Sequence, residues 1–519
     1  MLAAVIIAIS MSGCGSKSTT STVEDIGFNE TGLPIVNEPI TFEVGVLRAQ
    51  HIAPYDSMPL LKELEEKTNV HVKWREFPAD SFTEQINLMF ASEDYPDILW
   101  KGVTEDQILQ YGPAGHMVEL TELIEKYAPN WKKILDENDY IRQMTTAPDG
   151  KIYSLPKVQM NKYNSGYRDT WFINKQWLDK LGLKMPTNVH EYYEVLKAFK
   201  ENDPNGNGEA DEIPWTFIFY NYANGHFDIF GSFGELDGPQ HVFVKDGKAF
   251  YTATSEANKN AIKYLNKLYN EGLIDPEVFT QNVSQFRAKL KSEPFLVGSF
   301  PAWNGGAELP LDKISGENAV YVPMPPLSGP NGEKAKFRVQ TNEIERGYFT
   351  IFKNNKYPEV SMRWADQLVE GDFSMQALYG PLKLQQDGMY KLIEDPNSQF
   401  VTNVPANYGP FVVFQEDIER IVASPQEDLR REQYKIYEPY TVDKSEIYPR
   451  VFFTAEQKKI LSTYETDLIE YVKGTHARWV TKGGIDEEWD EFVQKVNSMH
   501  LAEILEVYQE ALDAFYQNK

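Results

Sequence analysis

Apolar and polar residues alternate first along Ile40-Thr-Phe-Glu-Val-Gly-Val46, a period-two pattern that predicts a strand with one face in a core. Met58, Leu60, Leu61 and Leu64 then share one helical face, and Val70, Val72 and Trp74 alternate as a second strand. Ser81-Phe-Thr-Glu84 has the form of a capping box, opening a helix with Phe82, Ile86, Met89 and Phe90 inward. Pro96-Asp-Ile-Leu-Trp100 reads as a short buried strand. Strand, helix, strand, helix, strand predicts an α/β lobe with a largely parallel sheet.

Further on, Asp149-Gly-Lys-Ile-Tyr-Ser-Leu-Pro156 is a turn running into a strand, read as the approach to a second lobe. Asn188 with Glu191 caps a helix carrying Tyr192, Val195, Leu196 and Phe199. Ala261, Ile262, Leu265, Leu268 and Tyr269 recur at helical spacing, and Gly272 takes the C′ position that ends that helix. Phe295-Leu-Val-Gly-Ser-Phe300 is a strand that runs into Pro301-Ala-Trp303, and the Pro- and Gly-rich stretch 323–332 reads as a return linker. The last third is helical. Thr454 with Gln457 caps one helix expected to end at Gly474, Asp486 opens a second, and residues 501–515 form a third with Leu501, Ile504, Leu505, Tyr508, Leu512 and Phe515 on one face.

At 519 residues the chain exceeds one ordinary domain and suffices for two lobes, each with its own core. The net charge of −26 argues against nucleic acid and against docking on anionic lipid through basic patches. Cys14 is the only cysteine, so neither an internal disulfide nor a cysteine-based zinc site can form. It follows an apolar run, Leu2 to Met11, and the small residues Ser12-Gly13. That run has the length of a secretory h-region and is too short to span a bilayer. Ser-Gly-Cys resembles the bacterial lipobox, in which the cysteine becomes the lipidated first residue of the mature protein. Residues 1–13 are therefore expected to be a signal peptide and Cys14 a lipid anchor. No Lys or Arg precedes the run, which points to a start further upstream. The Ser/Thr-rich segment from Gly15 to Glu38 then forms a tether reaching about 25–30 Å.

One loop carries metal-site chemistry. Asp203-Pro-Asn-Gly-Asn-Gly-Glu-Ala-Asp-Glu-Ile-Pro214 sets acids and amides at alternate positions around tight glycine turns, as oxygen-seeking Ca²⁺ requires. Its opening matches an EF-hand loop, D-x-[DN]-x-[DN]-G. The twelfth position is Pro214 instead of a bidentate Glu, so Asp211 and Glu212 are the candidates to close the shell, with the Glu209 carbonyl. The alternative is a polar turn between helix and strand.

Several stretches together resemble the extracellular solute-binding lipoproteins of bacterial carbohydrate ABC importers, in their large oligosaccharide-binding branch. They are Asn29-Glu-Thr-Gly-Leu-Pro-Ile-Val36, Ala91-Ser-Glu-Asp-Tyr-Pro-Asp-Ile98, Asp149-Gly-Lys-Ile-Tyr153, Trp177-Leu-Asp-Lys-Leu-Gly-Leu183 with Pro186-Thr187, Leu268-Tyr-Asn-Glu-Gly-Leu-Ile-Asp-Pro276 and Tyr508-Gln-Glu-Ala-Leu-Asp513. The Asp203 loop is similar to the calcium loop of the alginate-oligosaccharide-binding members. The resemblance implies a structural Ca²⁺ held by Asp203, Asn205, Asn207, Asp211, Glu212 and the Glu209 carbonyl. It implies a type II periplasmic-binding-protein-like α/β fold of two lobes that close by a hinge on ligand. The lobes are expected at 39–155 plus 325–372 and at 156–324 plus 373–519. The function implied is capture of an oligosaccharide for an ABC permease by a monomer tethered to the outer face of a cytoplasmic membrane, of Gram-positive type, without catalysis.

A sugar site needs flat aromatic platforms and planar polar groups, and the chain carries 10 Trp, 29 Tyr and 29 Phe. Trp303 is the leading platform, because it follows a buried strand where loops gather at a cleft; Trp100 and Trp171 are further candidates, the latter beside Arg168 and Asp169. Arg48 and Gln50 follow the first strand, at the carboxyl end that faces a crevice in open sheets. Tyr153 is a ligand contact or a strand-packing residue; Arg346, beside Glu345, is a ligand arm or half of an exposed ion pair. Two rival functions remain at this stage. A glycan-cleaving enzyme would need two facing carboxylates, for which no signature stands out. A ligand sensor would share the fold.

Overall fold

A computed structural model describes residues 23–50, 52–393 and 404–517. Cys14 and the leader lie outside these residues. Alternation in the first strand becomes Ile40–Arg48, which pairs in parallel with Val70–Pro78 on one side and with Ile98–Trp100 on the other. The full six-stranded sheet runs Val412–Phe414, Leu155–Met160, Ile344–Ile351, Ile98–Trp100, Ile40–Arg48, Val70–Pro78. It is mixed, because Ile344–Ile351 lies antiparallel to both its neighbours. A second sheet, in the order Tyr321–Met324, Thr170–Asn174, Val297–Ala302, Ile213–Trp215, forms the other lobe.

Each sheet has its own core. Val44, Val46, Ile98, Trp100, Phe349 and Trp364 are buried together around the first, and Trp171, Tyr192, Phe199, Trp215, Leu265 and Trp479 around the second. The helix Val189–Glu201 starts as expected, with the Asn188 side chain accepting from the Glu191 amide at 2.9 Å. The helix Glu256–Asn270 ends at Gly272, whose φ of +67° fits a C′ glycine. The closing helices pack on this second lobe, led by Ala455–Lys482 against Glu256–Asn270. Among the described residues no helix is long and apolar enough to cross a membrane.

Five expectations change. The tether does not extend to Glu38, because Ile26, Ile35 and Val36 are buried in the first core and Phe28 bridges to Val36. The helix from Ala455 passes through Gly474 and ends at Gly483; its apolar face continues through Val472, Trp479 and Val480, whose burial outweighs the roughly 1 kcal/mol cost of an internal glycine. Ser81 does not cap its helix; its hydroxyl accepts from the Gln85 side chain at 2.9 Å instead. Residues 323–332 are no linker: Tyr321–Met324 is a strand of the second sheet and Leu327 sits in that lobe's core. Finally, Leu155–Met160 and Val412–Phe414 both belong to the first sheet. The chain therefore leaves the first lobe after Met160 instead of after Leu155, returns across residues 337–343 and crosses again after Phe414 into the helix Pro425–Tyr437. That helix is fixed to the second lobe by the Tyr437 hydroxyl, which donates to the Met324 carbonyl at 2.7 Å and accepts from the Trp171 amide at 2.8 Å.

Candidate functional site

The returning segment Arg338-Val-Gln-Thr-Asn-Glu343 lies outside the strands and sends side chains into two cavities. Gln340, Asn342 and Glu343 line a cavity of about 190 Å³, together with Lys101, Lys157, Gln159, Asn164, Glu345, Tyr348 and Trp303. Arg338, Val339 and Thr341 line a larger one, about 430 Å³, with Tyr222, Gln240, His241 and Arg450. Both cavities draw residues from both lobes, and the crossing segment runs between them.

Each half has an aromatic face open to solvent. Trp303 follows Val297–Ala302, as the sequence suggested, and is 40% exposed although it is among the largest apolar side chains in the protein. The Arg430 guanidinium lies 5.1 Å from its ring and donates to Asn164, which fixes the indole. In the other half Tyr222 is 47% exposed and lies over the Arg168 and Arg338 guanidinium groups, at 4.0 and 5.5 Å. Beneath it runs a buried ion chain: Arg168 to Asp169 at 2.7 Å, Asp169 to Arg338 at 3.1 Å, and Arg338 to Asp228 at 2.7 Å. Burial pushes the Asp169 carboxyl up, against the pull of Arg168. Arg168 and Asp169 thus form the floor under Tyr222.

The first half is set by a distorted strand. The register of Ile344–Ile351 slips between Glu345 and Phe349, where Gly347 has φ +73° and a Cβ would lie 2.0 Å from the Val103 carbonyl oxygen. A bulge of this kind re-aims its side chains. Glu345 faces the cavity and pairs with Lys157; burial opposes ionisation, but Lys157 holds the Glu345 carboxyl below the usual range. Lys101, at φ +56° just after Ile98–Trp100, sits over the rings of Tyr408 at 4.7 Å and Tyr348 at 5.4 Å. Among the described residues, Glu343 Oε2 in the first half, and Asn161 Nδ2, Arg168 Nε and Arg430 Nε behind the linings, are buried without a side-chain or backbone hydrogen-bond partner.

Other expected contacts lie elsewhere. Trp100 is 1% exposed, stacked on Trp364 at 5.5 Å and edge-on to Trp74 at 5.0 Å, so it packs the first core; its neighbour Lys101 reaches the cleft. Trp171 is 3% exposed against Tyr192 and Trp215. Arg48 pairs with Glu76 at 3.0 Å on the neighbouring strand, and Gln50 is exposed; neither lines either cavity. Tyr153 packs the strand approach and donates to Asp149 at 2.7 Å. Arg346 lines neither of these two cavities and its side chain is not exposed: it is bonded to Glu105 at 2.6 Å within the first lobe and to the Arg450 carbonyl at 3.1 Å, with Phe452 3.9 Å from its guanidinium. Tyr222, Lys101 and Glu343 carried no sequence signal, because their positions depend on turns and crossings between lobes.

In the Asp203 loop, Asp203 accepts from the amides of Gly206, Asn207 and Gly208 at 2.8–3.1 Å, and Gly206 and Gly208 take φ near +80°. Asn205 and Asn207 point their amide nitrogens at Asp211, at 2.8 and 3.0 Å. Glu212 Oε1 is buried without a partner, and burial, with Asp203 and Asp211 nearby, raises its carboxyl pKa. No group of three or more His, Cys, Asp or Glu converges among the described residues, so an ion here would rely on amide and backbone oxygens as much as on acids. The orphaned Glu212 oxygen and the oxygen-only donor set fit a hard cation such as Ca²⁺.

The family comparison decides the class. Residues 51–370 match the bacterial extracellular solute-binding protein family. The chain belongs to that family. The fructooligosaccharide ABC transporter substrate-binding protein FusA of Streptococcus pneumoniae serotype 4 is 31% identical over 98% of this chain and 96% of its own length. Structures of FusA with kestose and of a FusA EF-hand mutant with fructo-nystose align with TM-scores of 0.78 and 0.79, at 30% and 29% identity, each covering 92% of this chain and all of that one. An HMO-binding ABC-transporter-associated solute-binding protein of Bifidobacterium longum infantis aligns with a TM-score of 0.81 at 25% identity, over 92% of this chain and 99% of its own. The two-lobed α/β fold and a binding function, not an enzymatic one, follow from this membership.

Proposed function

We propose that the protein captures an oligosaccharide in the interlobe cleft and delivers it to an ABC-type permease. The observation that carries this is the pair of exposed aromatic faces, Trp303 and Tyr222, each over fixed polar groups on either side of the crossing segment. Sugar rings stack their C–H faces on such platforms while their hydroxyls meet polar lining groups such as Gln159, Asn164, Gln340 and Asn342. FusA, which takes fructooligosaccharides, supports the ligand class. The hinge lies where the chain crosses between lobes at 160–170, 337–343 and 414–425, and closure over the sugar brings the two faces together.

The loop from Asp203 to Glu212 holds a structural Ca²⁺ through Asp203, Asn205, Asn207, Asp211, Glu212 and the Glu209 carbonyl, a reading supported by the EF-hand named in FusA. When bound, the ion ties the end of the helix Val189–Glu201 to the strand Ile213–Trp215. Lipidation at Cys14 keeps the monomer at the outer face of the membrane beside its permease. A thermal melt against an oligosaccharide panel tests the ligand class: a ligand at 100 times its Kd adds about 2.7 kcal/mol, and the midpoint rises for a sugar that binds. A panel with no shift contradicts the reading.

A further inference from the structure

Three stretches that run between the lobes meet beside Trp303. Asn164 lies in the first crossing, where its backbone amide donates to the Asn161 side chain at 3.0 Å and the neighbouring Ser165 carbonyl accepts from the Gln340 amide of the returning segment at 3.1 Å. Arg430 comes from the helix Pro425–Tyr437, which follows the third crossing. Its guanidinium lies 5.1 Å from the Trp303 ring, and Nη1 donates to Asn164 Oδ1. A guanidinium can only donate, so this bond fixes the sense of the Asn164 amide: the oxygen faces Arg430 and the NH2 group turns away from it. Asn164 is partly exposed and lines the same cavity as Trp303, and its Nδ2 has no partner among the described residues.

We infer that Asn164 donates a hydrogen bond to the sugar unit seated on Trp303, and that Arg430 is a positioning residue that sets this sense by occupying the amide oxygen. The NH2 group offers two donors and no acceptor, so it meets a lone pair on a hydroxyl, ring or bridging oxygen of the ligand. The other polar groups of the lining are held differently. Lys157 is paired with Glu345, and Lys101 lies over the rings of Tyr348 and Tyr408; both belong to the wall formed by the first lobe. Gln340 gives its NH2 group to the Arg168 carbonyl at 3.4 Å, and the Ser165 hydroxyl donates to the Asn161 carbonyl at 2.8 Å. Gln159 and Asn342 also line the cavity, and among the described residues no arginine fixes the sense of either amide. Asn164 is tied through Arg430 to the platform itself, so its donor keeps its place beside the indole at any lobe angle. It is therefore set before the ligand arrives, which removes the cost of ordering it on binding.

The inference rests on the oligosaccharide reading, and one titration series separates the two. The full soluble chain is titrated calorimetrically with kestose, maltotriose, cellotriose and mannotriose, and each trimer that binds is carried through the variants, with circular dichroism melts to confirm folding. Asn164→Asp keeps the shape and the acceptor for Arg430 but removes both donors, and Asn164→Ala removes the group. Each is expected to weaken binding about threefold to tenfold. Arg430→Gln tests the positioning role in a double-mutant cycle: it weakens binding by the wild type more than binding by Asn164→Ala, because the part of its effect that runs through the amide is already gone. Wild-type affinity in either Asn164 variant overturns the inference and leaves the oligosaccharide reading standing; an Asn164→Asp variant that binds as tightly as the wild type would mean that the side chain accepts. Strictly additive costs for Arg430→Gln and Asn164→Ala overturn the positioning role. Silence from the whole panel overturns the oligosaccharide reading, and the inference with it.

Discussion

Trp303 and His226 show how differently two aromatic residues use the same fold. Trp303 leaves a large apolar face in water at the cleft, a cost that a ligand's C–H surface removes. Trp303→Ala should weaken oligosaccharide binding at least tenfold with little change in melting midpoint, read by calorimetry and a thermal melt together. His226 is fully buried between Phe217, Phe219 and Phe227, and neither ring nitrogen has a hydrogen-bond partner. Burial lowers its pKa to about 3. Between that value and its unfolded value near 6.5, the unfolded chain binds the extra proton, so the stability His226 contributes is present above about pH 6.5 and is lost as pH falls. His476 is shifted in the same direction, while Asp366, raised to about 6 by burial, works the opposite way. Comparing wild type with His226→Phe isolates the histidine: the variant's stability advantage should grow by about 2 kcal/mol between pH 7 and pH 5. An advantage independent of pH would contradict the assignment.

Two short elements set the chemistry of the larger ones. The bulge at Gly347 directs Glu345 to the cleft and Arg346 to the interlobe junction. Gly347→Ala forces a Cβ into the Val103 carbonyl at a positive φ and should cost about 2–4 kcal/mol, measured by denaturant unfolding, with loss of sugar affinity exceeding that of a surface control. In the Asp203 loop, chelation should lower the melting midpoint of the wild type and leave Asp203→Asn unmoved, since that variant lacks the charge that would hold Ca²⁺ and cannot accept the Gly206, Asn207 and Gly208 amides on both side-chain positions. The loop's turns were legible in sequence because its acids, amides and glycines are contiguous, and the Asp203 side chain accepts from the amides that follow it. The bulge was not, since its glycine sits inside an ordinary-looking strand and its role depends on Val103, far away in the chain.

Across the whole molecule, the alternation and helical spacing of local segments foretold two α/β lobes, and the strand leading to Trp303 foretold one platform. What local pattern could not reveal was where the chain crosses. Val412–Phe414 completes a sheet begun some 370 residues earlier, and that pairing decides which segments border the cleft. Trp100 illustrates the same limit: it ends a strand facing the crevice, yet its ring turns inward onto Trp364 while Lys101 reaches the cavity. The two lobes also meet outside the cleft, through Arg346 with the Arg450 carbonyl and Lys458 with Asp106.

The most direct test of the central claim is calorimetric titration of the soluble chain with fructooligosaccharides and other neutral oligosaccharides, followed by mass analysis of the recovered sugar. The account predicts saturable binding at one site per chain, loss of affinity in Trp303→Ala and a sugar recovered unchanged. Binding that is indifferent to Trp303, or a sugar recovered in pieces, would contradict it.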